Sequence, residues 1–427
     1  MSRSMECEVL IAGGGMVGLS LGHALASAGV EVVVVDREEP ATALAPAFDG
    51  RASAIARGSQ QALAALGLWQ AMAARAQPIR EIRVSDGRIG QRASSLFLHY
   101  DKALLDGEPL GYLLENRHIR QALDAAVETA PRLQLLAPAS VERLEPGSSW
   151  TTAWLGDGQS VRARLAVAAD GAKSRLRAAA GIRVTGWDYP QIGIVGTVVH
   201  EKPHLGVAHE HFLPAGPFAM LPLVDDYEDG DENSGTGGRR AVHRSSIVWT
   251  ERRDLAPAML RLGAEDFAAE IERRFGDSLG ALSLTGPRWS YPLSLSFAQR
   301  CVASRLALLG DAAHRIHPIA GQGLNLGLRD VAALAEAIVE ARRLGLDPGD
   351  ASVLRRYERW RRLDNLMLIA VTDGLNRLFS NDIAPLRLAR DLGLAAVDRL
   401  PAAKRFFMRH AMGLVGDLPR LLEGRPL

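Results

Sequence analysis

The sequence predicts an α/β protein: a Rossmann-like dinucleotide-binding domain, an inserted and mainly antiparallel β-sheet domain, and a helical C-terminal region. Three observations predict it. Near the N-terminus, an apolar run, a glycine-rich turn, a helix of small residues and a valine-rich run form a βαβ unit, which favours a parallel sheet. From about Gly186 to Pro292 the texture changes to short strands with turn residues between them. At Leu306 the strand, glycine loop and helix pattern resumes, so the first domain is discontinuous.

Val9 to Ala12 is the first strand, Gly13 to Gly18 the turn, Leu19 to Ala28 a helix ending at Gly29, and Val30 to Asp36 the second strand. In Gly13-x-Gly15-x-x-Gly18 the first glycine makes the tight turn and the second admits a pyrophosphate. The third lets helix pack on strand, and Asp36 offers a carboxylate to a ribose hydroxyl. This pattern binds a dinucleotide but does not separate FAD from NAD. Ile79 to Ser85 alternates as a half-buried strand of another sheet, and Arg117 to Val127 reads as a helix. Leu165 to Ala169 is a buried strand leading into Asp170-Gly171-Ala172-x-Ser174-x-x-Arg177, a second nucleotide segment in which Ser174 also suits a helix N-cap.

In the inserted region Ile192 to Val199, Ala208 to Phe212, Ala219 to Leu223 and Ser246 to Thr250 read as antiparallel strands. Asp225 to Arg240, acidic and then Gly/Ser-rich, reads as a mobile hairpin loop without a core. Leu306 to Leu309 is a buried strand, followed by Gly310-Asp311-Ala312-Ala313-His314, a loop through His317-Pro318 and Gly321, and a helix beginning at Leu324. A carboxylate at a strand end, with glycine-lined amides at a helix N-terminus, can hold a hydroxyl-bearing and an anionic group together. Helical patterns dominate from Val353, with breaks near Pro385, Pro401 and Pro419, and no internal repeat is visible.

The 427 residues suffice for two or three domains, and 47% hydrophobic with 23% charged residues is ordinary for a globular enzyme. A net charge of +1 gives no support for nucleic-acid binding. Cys7 and Cys301 lie too far apart in sequence to suggest a disulfide framework or metal spacing and read as buried thiols. The polar start from Met1 to Glu8 does not resemble a signal peptide, and no run of 18 apolar residues occurs, so a cytoplasmic protein is expected. Residues 387–425 carry eight Lys/Arg against four Asp/Glu, with Phe406-Phe407-Met408 among them. Two readings stay open there: peripheral contact with the inner face of a membrane, or a helix packed on the nucleotide domain with a solvated charged face.

The glycine fingerprint, Asp-Gly-x-x-Ser-x-x-Arg and Gly-Asp-Ala-Ala-His-x-x-x-Pro together resemble the single-component flavoprotein aromatic hydroxylases of the para-hydroxybenzoate hydroxylase type. Asp49-Gly50-Arg51, Glu115-Asn116-Arg117, Gly216-Pro217-Phe218-Ala219-Met220-Leu221-Pro222 and the segment His317 to Val331 narrow the resemblance to the ubiquinone-biosynthesis hydroxylases. It runs from about residue 6 to about 410, and the acidic insertion after Leu223 departs from it. The resemblance implies FAD, with Gly13, Gly15 and Gly18 at the pyrophosphate, Asp36 and Arg37 at the adenosine end, and Val141 also in contact with the cofactor. It implies Arg51 and Arg117 as cations for the cofactor, and Asp170 and Gly171 as contacts to flavin and nicotinamide nucleotide. Asp311 would hold the ribityl hydroxyls, and Pro318, Gly321, Gly323, Leu324 and Asn325 the ring edge. The donor would be NAD(P)H, bound without a second Rossmann fingerprint.

His317 and Pro318 are the residues implied nearest to the chemistry, although packed, hydrogen-bonded loop histidines are the expected state of both His314 and His317. No metal site is expected. The implied reaction is transfer of OH from a flavin C4a-hydroperoxide to the ring of a polyprenylated phenol, a lipophilic aromatic substrate; hydroxylation of a small soluble aromatic compound and a non-catalytic flavin-binding accessory role are the alternatives. Walls near Ile192 to Val199 and Phe218 to Pro222 would exclude water; no base is identified. A ubiquinone-biosynthesis complex is the implied protein partner. The division expected is 5–78, 100–185 and 293–352 for the FAD-binding domain, 79–99 and 186–292 for the sheet domain with the loop 225–240, and 353–427 for the C-terminal helices.

Overall fold

The computed structural model describes residues 4–45, 50–90, 97–101, 107–228, 240–380, 400, 405 and 408–427. Asp49, most of the loop 225–240, Pro385, Pro401, Phe406 and Phe407 lie outside the described residues.

Two large sheets carry the molecule. In the first, Ser4–Ala12 pairs in parallel with Val32–Val35 on one side and Ser160–Ala168 on the other. Leu133–Leu136 and Leu306–Leu308 extend the two flanks, also in parallel. Alternation along Ser4–Ala12 explains why both faces are covered: Val9 and Ile11 enter the core under the helices, while Leu10 and Ala12 enter the core on the opposite face. The helices on the first face are Met16–Ser27, Asn116–Thr129 and Gly323–Arg343. Gly22 allows Met16–Ser27 to lie close on the sheet, since a Cβ there would stand 2.9 Å from the Leu133 side chain. Fully burying each such leucine, valine or isoleucine contributes roughly 1.5–3 kcal/mol.

The second sheet runs in the order His314–Arg315, Leu282–Ala298, Val184–His200, Arg240–Arg252, Gly216–Pro222, Val207–Leu213, Glu81–Asp86, Phe97–Asp101. Neighbours are antiparallel except Val207–Leu213 with Glu81–Asp86, which run parallel. Leu282–Ala298 carries this sheet past residue 292, and His314–Arg315 pairs with its end, so the second sheet reaches into the third nucleotide segment. The flanks of the acidic insertion are strand rather than loop, with Asp226–Glu228 paired to Arg240–Val242.

Two helices absent from the sequence expectation, Ala256–Arg261 and Ala264–Phe275, cover one face of this sheet. Phe267, Ile271 and Phe275 repeat at helical spacing and pack with Phe218, Met220, Ile247 and Trp249. A small third sheet pairs Ala52–Ala56, Gly111–Glu115 and Gln77–Ile79. The long helix Ala351–Phe379 braces both domains: Tyr357 donates to the Leu308 carbonyl at 2.9 Å, and Asp373 accepts from the Tyr189 hydroxyl at 2.7 Å. No helix of the described residues is long and apolar enough to cross a membrane. Cys7 is buried and Cys301 partly so; burial pushes both thiols up to about 12.

Candidate active site

Two cavities meet the nucleotide segments. The first, of about 370 Å³, is lined by Gly13, Gly15, Asp36, Arg37, Val141, Asp170 and Gly171, so it gathers seven residues expected from separate parts of the chain. Gly13 has φ +109°, and a Cβ on it would lie 2.2 Å from the Ala169 carbonyl oxygen. Only glycine fits there. A Cβ on Gly18 would lie 2.0 Å from the Gly13 oxygen, whereas nothing stands within 4 Å of one on Gly15. The helix Met16–Ser27 starts at Gly15 with no side-chain cap and no acid in its first turn. Its free amides and positive dipole end suit a diphosphate.

Arg120, which sequence reasoning missed, fixes this turn. It is buried, donates at 2.8 Å to the Gly14 carbonyl and holds both Asp124 carboxylate oxygens at 2.9 Å. The legible sign was an Arg and an Asp spaced i, i+4 on an amphipathic helix. Arg117, the residue expected to face the cofactor, pairs with Glu115 at 3.0 Å and lines neither cavity. Burial pushes Glu115 up, but His118, Arg244 and Arg117 outweigh it and hold the carboxyl at about 2.

The second and third nucleotide segments are tied together by one side chain. Arg177 donates to the Ala172 carbonyl at 2.9 Å and to the Ala312 carbonyl at 2.8 Å. Ser174 caps the short helix that carries it, accepting from the Arg177 amide at 3.0 Å. Asp170 accepts the Arg175 amide at 3.0 Å on one oxygen, while its other oxygen is buried with no partner among the described residues. That orphaned acceptor borders the first cavity and fits a ligand hydroxyl.

Gly310, with φ +58°, turns the chain so that Asp311 stands exposed at the strand end. Beneath it lies an ionic cluster. Asp330, fully buried, accepts from the Gly310 amide at 3.2 Å, His314 Nε2 at 2.6 Å and Arg361 Nε at 2.7 Å. Burial raises the Asp330 carboxyl, but the His314 and Arg361 charges outweigh it and hold it at about 2. His314 is therefore the packed, hydrogen-bonded histidine expected.

His317 is packed but not hydrogen-bonded, which corrects the expectation. It is fully buried, neither ring nitrogen has a partner among the described residues, and its ring meets Tyr189 edge-on at 5.2 Å. Burial pushes it down to about 4, so the ring is neutral near pH 7. Pro318 lines the second cavity and His317 does not.

That second cavity, of about 270 Å³, lies between the third nucleotide segment and the open face of the second sheet. Pro318, Ile319, Gly321, Gln322 and Asn325 form one side with Ala52, Ala54 and Ala56. Asn325, also fully buried, locks them together: it accepts from the Ala56 amide at 2.9 Å and donates to the Ala54 carbonyl at 2.8 Å. Its side chain thus clamps the strand, and Gly323 is the exposed first residue of its helix, with Leu324 partly buried behind it. The opposite side is Val84, Val195, Ala219, Leu221 and Val248. The expected walls are present, but alternation sends Phe218 and Met220 to the other face. Arg51 lines this cavity with its guanidinium 6.0 Å over the Tyr291 ring. Gly50 admits the Trp289 ring, which a Cβ would meet at 1.9 Å.

A family model described as FAD binding domain matches residues 6–364. "Ubiquinone hydroxylase UbiL" of Rhodospirillum rubrum is 53% identical over 429 residues, covering 100% of this chain and 95% of that protein. The "3-demethoxyubiquinol 3-hydroxylase" of Escherichia coli is 36% identical over 413 residues, covering 95% and 98%. Among solved structures, p-nitrophenol 4-monooxygenase PnpA from Pseudomonas putida has a TM-score of 0.77 at 22% identity, covering 97% of this chain and 99% of that one, a likeness of fold. With three nucleotide segments converging on two cavities, the chain belongs to the FAD-dependent hydroxylases of ubiquinone biosynthesis.

Proposed function

We propose that this chain hydroxylates the aromatic ring of a polyprenylated phenol, with FAD spanning the two cavities. The observation that carries the reading is the second cavity, about 270 Å³, with the Pro318-to-Asn325 segment on one side and an aliphatic sheet face on the other. FAD, reduced by NAD(P)H, supplies activated oxygen from O2. Gly13, Gly15, Gly18, Asp36, Arg37 and Val141 would hold its pyrophosphate and adenosine end, and the second oxygen of Asp170 a hydroxyl. Asp311 would take the ribityl hydroxyls, and Arg51, Pro318, Gly321 and the amides at the start of Gly323–Arg343 the ring edge. A cation and a helix N-terminus there favour negative charge on the ring. The aliphatic wall keeps water from the activated oxygen and seats an apolar substrate. A lipophilic substrate also gives a physical reason for peripheral contact with a membrane and for association with other enzymes of the pathway.

Purified protein carrying FAD, given 2-farnesylphenol, should accelerate NAD(P)H oxidation, take up O2 and return a product one oxygen heavier by mass spectrometry. Absence of the oxygenated product would refute the reading. Asp311→Ala should purify without its yellow cofactor. An Asp311→Ala protein at full flavin occupancy would remove Asp311 from the ribityl site.

A further inference from the structure

The sheet register brings five cavity-lining side chains into one row across five strands. Val84 lies opposite Glu210, Glu210 opposite Ala219, Ala219 opposite Val248, and Val248 opposite Val195. All five line the second cavity. Paired residues in neighbouring strands point to the same face, so a single carboxylate stands in a row of four aliphatic side chains, with Val84 and Ala219 on the strands beside it. Among the described residues that line this cavity, Glu210 is the one Asp or Glu. The other ionisable side chains around it are Arg51, Tyr100, His209 and Tyr291. Burial pushes His209 down to about 4, and its ring packs against Phe275 at 5.2 Å, so near pH 7 it is neutral. Across the cavity from this row stand Pro318, Gly321 and Asn325, the side assigned above to the flavin ring.

We propose that Glu210 is the catalytic base of this hydroxylase, accepting the phenolic hydrogen of the substrate; this rests on the hydroxylase reading above. A carboxylate accepts such a charge-assisted hydrogen bond strongly, and its two oxygens have lone pairs for more than one donor. As the ring carbon forms its bond to one oxygen atom of the O2 activated at the flavin, the bond between the two oxygens breaks. The second oxygen leaves with its electron pair and ends as water. The phenol O–H bond breaks at the same time. Its electron pair moves into the ring, and the proton passes to Glu210. The ring oxygen becomes a carbonyl. Loss of the hydrogen on the new carbinol carbon, as a proton to water, restores the aromatic ring, and Glu210 returns its proton to the carbonyl oxygen. The ring has exchanged a C–H for a C–OH, and Glu210 ends as it began. A phenol is a poor acid before oxygen transfer and a strong one during it, so a carboxylate is basic enough when the proton moves.

The experiment compares 2-farnesylphenol with its methyl ether, which lacks the donated hydrogen. Binding is read by perturbation of the flavin spectrum, and turnover by product per NAD(P)H oxidised. Wild-type protein should bind the phenol about tenfold tighter than the ether, as one charge-assisted hydrogen bond predicts. Glu210→Gln should keep its FAD, bind the ether as wild type does, lose that discrimination and hydroxylate about 10²-fold or more slowly. Glu210→Asp should recover part of both. Equal binding of phenol and ether by wild type, or wild-type turnover by Glu210→Gln, overturns the proposal while leaving the hydroxylase reading intact. A wild-type protein that oxygenates no phenol defeats the hydroxylase reading itself.

Discussion

Asp330→Ala is expected to destabilise the fold by about 3 kcal/mol or more, read as a lower urea midpoint at unchanged slope. The removed carboxylate compensates His314 at 2.6 Å and Arg361 at 2.7 Å, both buried. The loss should stay near the low end of the buried-pair range, about 3–5 kcal/mol, because Arg361 keeps Asp364 and, at 2.7 Å, Asn365. Gly310 would lose its amide acceptor as well, so flavin affinity should fall through the neighbouring Asp311. The same carboxyl sets an acid limit. Its folded value of about 2 lies below the usual carboxylate range, so its contribution is present above pH ~4 and lost as pH falls from there through about 2. A tenfold change in proton affinity is worth roughly 1.4 kcal/mol, which makes this contribution roughly 2 kcal/mol. Urea midpoints measured from pH ~5 down to pH ~2, the window in which the linkage acts, should fall less steeply for Asp330→Ala than for wild type. Parallel curves would mean that the carboxyl is not the titrating group.

Gly13→Ala should abolish FAD retention and lower thermal stability together. The methyl group would enter at 2.2 Å from the Ala169 oxygen and 2.9 Å from the Asp170 nitrogen, both backbone atoms. A positive φ adds about 1 kcal/mol or more of strain for any residue with a Cβ. The turn must open, and with it the approach of Gly15 to a diphosphate. Gly15→Ala is the control, since no atom stands within 4 Å of its added methyl. It should fold normally and lose flavin affinity only. If Gly13→Ala purified yellow with an unshifted melting temperature, the glycine turn would not be the pyrophosphate cradle.

The contrast between these two sites explains what could be read beforehand. The Gly13 turn is local: strand, positive φ and helix start lie within a few residues, so spacing alone carries the geometry. The Asp330 cluster is not. Arg361 comes from a different helix, and nothing in the run from Gly323 to Arg343 says that its aspartate faces inward to an arginine rather than outward to water. The contacts of Arg120 and Arg177 were hidden for the same reason, since their acceptors Gly14 and Ala312 are 106 and 135 residues away. Glu210 lies in Val-Ala-His-Glu-His-Phe-Leu, where polar residues occur on both faces, and only the register with Ala219 and Val84 tells which face borders the cavity. The helix Ala264–Phe275 was legible in principle, because its apolar stripe follows the helical period. His317 went the other way. A polar residue in a loop before proline suggests a hydrogen bond, and the fold instead seals it behind Tyr189.

The bridge from Arg177 to Ala312 has a consequence for how the chain is made. A ribosome releases the N-terminal portion first, at about 5–20 residues per second. During synthesis of the inserted sheet, the strand Ser160–Ala168 has no Leu306–Leu308 beside it, and the helix Met16–Ser27 has no Gly323–Arg343 against it. For that interval a sheet edge and an apolar helix face are open to other chains. The flavin site proposed above closes only when the third segment arrives, so on that reading the nascent protein cannot draw on cofactor binding for stability until most of its length has emerged.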